Sequence, residues 1–179
     1  MKLSVNLGRR LLYLAAVILA GSAIFILVHP LSRDRDHEWL IGGVLMATAA
    51  ICFVSFGTNR RMYFRPGWIL PAAFFMAIYG LIVLFLPLID FELNDAVYAF
   101  LALFLAAAQF AAAIQLRALE IKRWWWVLIF GIVNTLFGIY FLKLCSVLNL
   151  SEYPSVAVLF IFTGITVALE PWVYQKRRQ

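Results

Sequence analysis

Charge is what this sequence has least of. Only 13% of its 179 residues are charged, whereas 65% are hydrophobic and the mean hydropathy is +0.93. A soluble domain carries about 25% charged residues, so this composition excludes one. The formal net charge of +6 does not indicate nucleic-acid binding, because the basic residues occur in short clusters beside apolar runs. The chain is therefore predicted to be an integral membrane protein whose first partner is the lipid bilayer.

Cysteine and histidine are also scarce. Cys52 and Cys145 fall in separate apolar runs, which argues against a disulfide framework. His29 and His37 are eight residues apart across a proline, whereas a metal site needs three or four ligands held together. The HExxH, GxSxG, Walker A and Rossmann patterns are missing from the sequence as well. We therefore predict a protein that is not an enzyme and uses no cofactor or metal.

Long apolar runs dominate what is there. A helix that crosses about 30 Å of hydrocarbon needs about 20 mostly apolar residues. Six runs meet this criterion and are apolar on all sides, which favours helices over transmembrane strands. The predicted fold is thus all-α, with spans near Leu11–Val28, Trp39–Phe56, Trp68–Leu88, Ala96–Leu116, Trp124–Leu144 and Ser155–Tyr174.

The first of these runs has a second interpretation. Basic residues precede it and LAGSA at 19–23 resembles a cleavage site, as in a signal peptide. The run continues to Val28, however, and it is the counterpart of the third and fifth runs. We expect it to be retained as the first membrane helix.

One unit recurs three times along the chain. In each copy a bulky residue stands 12 positions before a small one, and the copies are 57 and then 58 residues apart. The pairs are Leu11 and Ala23, Trp68 and Gly80, and Trp126 and Gly138. Repeat units near 11–61, 68–117 and 126–175, each with two helices, predict three tandem hairpins of one orientation. We expect a single membrane domain over 1–179 with pseudo-threefold symmetry about an axis near the membrane normal.

The loops set the expected orientation. Twelve of the 15 Lys and Arg residues fall on one side of the six spans, and seven of the nine acidic residues fall on the other. The positive-inside rule then places both termini in the cytoplasm of a bacterial cell, with the helices in its inner membrane. Five tryptophans would form an aromatic belt at the inner interface, with Trp39 at the outer one.

Polar residues deep in the spans are few. A charge at a helix centre costs about 2.5–3.5 kcal/mol, so such residues usually have a use. Glu170 is the only acid embedded in a run, and we expect it either to reach headgroup water or a basic partner, or to act as a gate or proton-binding group. Asn134 and Gln109 are expected to donate interhelical hydrogen bonds, with a pore lining as the alternative. Gly131 and Gly138, on one face with Asn134 between them, predict a packing seam.

The repeat resembles a known family. Trp68, Gly80 and Pro87, then Trp126 and Gly138, and the run IGGVLMATAAICF followed by TNRR are similar to the bacterial HdeD-like membrane proteins. The resemblance covers nearly the whole chain. It implies an inner-membrane protein associated with stress or acid resistance, and it brings no catalytic residues.

Two hypotheses about function follow. The first is a non-enzymatic membrane protein of stress physiology that acts through a partner or by changing membrane properties. The acidic outer loop with Asp90, Glu92 and Asp95 would partly protonate at acidic pH, which offers a sensing route. The second is a small channel or transporter for protons or a small solute. The sequence leaves open a homo-oligomer or another membrane protein as partner.

Overall fold

The architecture is all-helical in the computed structural model, which describes residues 2–28, 34–59, 67–85, 95–144 and 152–173. Six α-helices occupy these ranges, and the fifth ends in a π-helical turn, Tyr140–Leu144. The helices are α1 Lys2–Val28, α2 Asp34–Asn59, α3 Ile69–Phe85, α4 Asp95–Ala118, α5 Trp124–Ile139 and α6 Glu152–Val173.

Five helices contain stretches of 19 to 23 residues that are long and apolar enough to cross a bilayer. The remaining helix, α3, has 17 described residues and is apolar throughout. Backbone groups in hydrocarbon have no water to bond, so they must pair within the helix. Length and composition thus identify a helical, multi-pass membrane protein.

Two helices begin well before their predicted spans. The first begins at Lys2 rather than near Leu11, and the second begins at Asp34, inside a segment predicted to be a loop. The prediction counted only apolar residues, whereas a helix can continue through the headgroup region, where water solvates polar side chains. The loop prediction was therefore wrong for residues 34–38.

The last helix of the chain packs against the first. The most extensive helix packing joins α4 to α5, α2 to α3, and α1 to both α6 and α2. Contacts of α3 with α4 and of α5 with α6 are much sparser, although each pair is consecutive in sequence. Helices of neighbouring repeat units therefore pack more closely than the two helices within the second or the third unit.

Small residues permit the closest helix contacts. A Cβ on Gly80 of α3 would lie 3.1 Å from the Gly42 carbonyl oxygen of α2. A Cβ on Gly138 of α5 would lie 3.3 Å from the Ala99 carbonyl oxygen of α4. Gly42 and Ala99 are 57 positions apart, and Gly80 and Gly138 are 58 apart, so the two contacts occupy equivalent places in the repeat. Lipid tails are as apolar as the helix surfaces, so burial of apolar side chains does not drive helices together in a membrane. Close approach of the helix backbones supplies the packing energy instead.

Burial follows the repeat across the helices. Leu19, Met76 and Asn134 occupy one repeat position, and their exposed fractions are 0%, 1% and 0%. The same agreement holds for most positions of α2, α4 and α6 at the offsets of 57 and 58. The apolar core therefore uses corresponding faces of the helices in each unit.

Trp68 departs from the predicted aromatic belt. It is 1% exposed and belongs to the apolar core, whereas Trp39, Trp125 and Trp172 are 51%, 43% and 39% exposed. An enclosed indole gains dispersion contacts on every side, which a position at the lipid interface does not offer. The belt interpretation is wrong for this residue.

Candidate functional site

Asn134 and Gln109 meet in the interior between α4 and α5. The Asn134 Nδ2 donates a hydrogen bond of 2.8 Å to the Gln109 Oε1, and both residues are fully buried. The expectation of interhelical hydrogen bonds is confirmed, with one difference: Asn134 donates and Gln109 accepts. The sequence did not indicate that the two amides would pair with each other.

Half of each amide remains unpartnered. Among the described residues, the Gln109 Nε2 and the Asn134 Oδ1 are buried and have no hydrogen-bond partner. A buried polar atom without a partner costs about 1–3 kcal/mol. The pair thus presents one donor and one acceptor in a region enclosed by apolar side chains. The Thr48 hydroxyl of α2 is likewise buried and unpartnered within the described ranges.

The glycine seam brings the two amides together. Gly131 lies one turn before Asn134, where an added Cβ would be 2.8 Å from a ring carbon of Phe110, the neighbour of Gln109. Gly138 lies one turn after Asn134 and faces Leu103 and Ala99. Both glycines lie against α4, so the predicted packing seam is confirmed. The close approach of the two backbones is what allows short amide side chains to bond.

Glu170 lies near the end of α6. It is 3% exposed on α6, and its carboxylate is close enough to Cys52 of α2 to interact electrostatically with it. The structure joins Asn134 to Gln109 by a hydrogen bond and brings Glu170 near Cys52. Cys52 and Gln109 are 57 positions apart and occupy the same position of the repeat unit. The Glu170–Cys52 pair and the Gln109–Asn134 pair therefore each include this position, on α2 and on α4 respectively.

Helix ends are joined by polar contacts that the sequence did not reveal. On the side of the bundle where α1 begins and α6 ends, which we call the termini side, Ser55 Oγ donates to the Gly8 carbonyl oxygen at 3.0 Å. On the opposite side the Tyr140 and Ser155 hydroxyls are 3.1 Å apart. Ser55 and Glu170 occupy the same position of the repeat unit. This shared polar position is the sequence signal that could have indicated a polar role for Ser55.

Basic and aromatic side chains form a cluster on the termini side of α4, α5 and α6. The Arg123 guanidinium lies 4.2 Å from the centre of the Trp172 ring, and its Nη1 donates to the Trp172 carbonyl oxygen. Arg117 lies 5.4 Å from the Trp124 ring centre. Trp126 contacts both Trp125 and Trp172, with ring centres 4.4 and 6.1 Å apart. We call these six residues the Arg–Trp cluster.

Metal ligands do not gather in the described part of the chain, where no group of three or more His, Cys, Asp or Glu side chains is found. The side chains of His29, His37, Asp90, Glu92 and Asp95, together with Cys145, lie outside the described residues. Amide groups neither ionise nor attack substrates at neutral pH, so the central pair is suited to hydrogen bonding alone.

A family model matches part of the chain. Residues 71–143 match the model of a family described as a short repeat of unknown function (DUF308). No curated protein and no solved structure matches the chain. The matched segment includes nearly all of α3, all of α4 and α5, and hence the Gln109–Asn134 pair. This family includes HdeD-like membrane proteins, so the resemblance is supported at that broader level.

Proposed function

We propose that the protein is a non-enzymatic component of a bacterial inner membrane that supports stress or acid resistance by binding a partner or altering the membrane. The observation that carries this proposal is the enclosure of its mid-membrane polar groups. Gln109 and Asn134 are fully buried between helices, whereas the exposed surface of the same helices is rich in large apolar side chains. Such a bundle interacts with its surroundings through lipid-facing surfaces and helix ends.

The proposed architecture is a pseudo-threefold bundle of three hairpins. The repeated burial pattern supports it, as do the equivalent close contacts at Gly80 and Gly138. Extensive packing of α2 with α3, α4 with α5 and α6 with α1 is also what a closed ring of three repeat units requires. The proposed orientation has both termini in the cytoplasm, because most Lys and Arg residues fall on the termini side.

A small channel or transporter is the second candidate. Two unpartnered amide atoms at the Gln109–Asn134 pair and the buried carboxylate of Glu170 favour it. Polar groups that line a path for ions or solutes need unused hydrogen-bonding capacity, which the two amide atoms have. The amide pair joins α4 to α5, whereas Glu170 lies on α6 near Cys52 of α2, so this hypothesis does not assign all three residues to one path.

Flux measurements separate the two candidates. Purified protein in liposomes would be tested for proton, ion and small-solute flux at neutral outer pH and at about pH 4, where exposed carboxylates partly protonate. Empty liposomes are the first control, and Glu170→Gln protein is the second. We expect no flux above the empty liposomes. Flux that Glu170→Gln abolishes would replace the first proposal with the second.

A cellular assay tests the stress role directly. Cells that lack the protein would be complemented with the wild type or with Asp90, Glu92 and Asp95 all changed to the matching amides. We expect acid survival to fall without the protein and to return only with the wild type. Equal survival of all strains would refute the stress role, and full rescue by the amide variant would refute sensing by these carboxylates.

A further inference from the structure

The space between α5 and α6 differs from that between α1 and α2. Phe162 of α6 contacts Phe130 and Phe137 of α5, with ring centres 6.1 and 5.8 Å apart. Ala47 occupies the repeat position of Phe162 in α2. Accordingly α1 and α2 pack extensively, whereas α5 and α6 make sparse backbone contact. Aromatic rings therefore separate α5 from α6. Phe130 is buried, whereas Phe137 and Phe162 are partly exposed and line the space between the two helices, which we call the α5–α6 groove.

Apolar side chains continue along the exposed parts of both helices. Ile129, Ile132 and Leu136 of α5 are 39%, 47% and 60% exposed, and Ile165 of α6 is 49% exposed. These side chains face the surroundings at the depth of the bilayer. The α5–α6 groove is therefore suited to acyl chains rather than to a soluble ligand.

A rigid turn ends the groove on the termini side. Glu120 adopts a left-handed conformation with φ of 55°. The backbone N–H of Glu120 donates to the Arg117 carbonyl and that of Ile121 to the Leu116 carbonyl, each at 3.0 Å. These two bonds form a Schellman motif, which fixes the path of the chain after α4. The turn thereby holds three basic residues, Arg117, Lys122 and Arg123, next to one acid.

The guanidinium of Arg123 is held in place beside the groove. Its position over the Trp172 ring and its bond to the Trp172 carbonyl tie it to the last turn of α6. A guanidinium has five N–H donors, so this bond leaves others for a second acceptor. Lys122 is exposed, and Trp125 is 43% exposed beside it in sequence. Tryptophan and basic side chains are the groups that contact lipid headgroups at membrane interfaces.

We propose that the α5–α6 groove and the turn at residues 117–123 form a binding site for an anionic phospholipid. The headgroup phosphate binds Arg117, Lys122 and Arg123, and an acyl chain lies along the partly exposed rings of Phe137 and Phe162. Charge complementarity selects an anionic headgroup, because the turn carries three positive side chains and one negative. The continuous apolar groove selects a lipid over free phosphate.

Quenching of tryptophan fluorescence by brominated lipids tests this site. Four of the six tryptophans belong to the Arg–Trp cluster, so quenching reports chiefly on lipid near it. The full-length protein would be reconstituted with brominated phosphatidylglycerol or, at equal mole fraction, brominated phosphatidylcholine. The test variant is Arg117→Gln with Lys122→Gln. The matched control is Arg9→Gln with Arg10→Gln, which removes the same charge on the termini side of α1.

We expect stronger quenching by phosphatidylglycerol in the wild type and in the control. The preference should fall by more than about fivefold for each basic side chain removed in the test variant, because a bound phosphate loses a direct partner in addition to the general attraction of a cation to an anionic surface. Equal quenching by both lipids in the wild type would overturn the proposal. A similar loss of preference in both variants would also overturn it, because it would indicate general attraction to the membrane surface. Native mass spectrometry with both lipids provides a second measurement that does not depend on tryptophan.

Discussion

Removing one or both amides of the Gln109–Asn134 pair tests how the bundle tolerates polar groups in its core. Asn134→Leu and Gln109→Met replace each amide with an apolar side chain of similar shape. Leucine is also the residue at the repeat position of Asn134 in α1, where Leu19 is fully buried. The substitutions therefore remove polarity with little change in volume.

The structure gives the expected magnitudes. In the wild type, one hydrogen bond exists and two amide atoms have no partner among the described residues. Each single substitution removes the hydrogen bond and leaves the remaining amide with two unpartnered atoms. Loss of an interhelical hydrogen bond in a membrane lowers the free energy of unfolding by about 0.6 kcal/mol, and by up to about 1.7 kcal/mol. The double substitution removes all four polar atoms, so it also relieves the two unpartnered ones at about 1 kcal/mol or more each.

Reversible unfolding in mixed micelles, followed by circular dichroism, measures these free energies. We expect each single variant to be less stable than the wild type and the double variant to be at least as stable as the wild type. A double-mutant cycle isolates the coupling between the two positions. A double variant that is less stable than either single variant would refute this reasoning. That result would indicate that the two unpartnered atoms bind water or a solute, and would strengthen the channel hypothesis.

Three further predictions concern packing and the turn after α4. Gly138→Ala should destabilise the fold by about 1–3 kcal/mol, because its Cβ would lie 2.6 Å from Leu103. Gly43→Ala is the control and should be neutral or stabilising, since no heavy atom lies within 4 Å of its added Cβ. Glu120→Gly should raise the unfolding free energy by about 1 kcal/mol by relieving the left-handed conformation, and a decrease would contradict this. Trp68→Ala should lower the unfolding free energy by about 3 kcal/mol. A decrease of less than about 1 kcal/mol would show that Trp68 is not a core residue. The same unfolding assay measures all four variants.

The sequence was sufficient to identify several features of the fold. Apolar runs of membrane length predicted all six helices, because the bilayer requires internally bonded backbone over a fixed thickness. The offsets of 57 and 58 residues predicted the repeat that the burial pattern follows. Gly131 and Gly138 predicted a seam, since residues seven apart lie on nearly the same face of a helix. These features depend on local periodicity, which a single chain displays directly.

Tertiary structure decided which helices pair and which polar groups meet. Within lipid, hydropathy gives no preference for one apolar helix face over another, so pairing depends on steric fit between small and large side chains. The contacts of Gly42 with Gly80 and of Phe162 with Phe130 express that fit, and neither can be deduced from composition. The same dependence explains why Gln109 and Asn134 could be predicted to form interhelical bonds but not with each other. It also explains the burial of Trp68 and the meeting of Arg123 with Trp172, because both depend on helix neighbours that only packing determines.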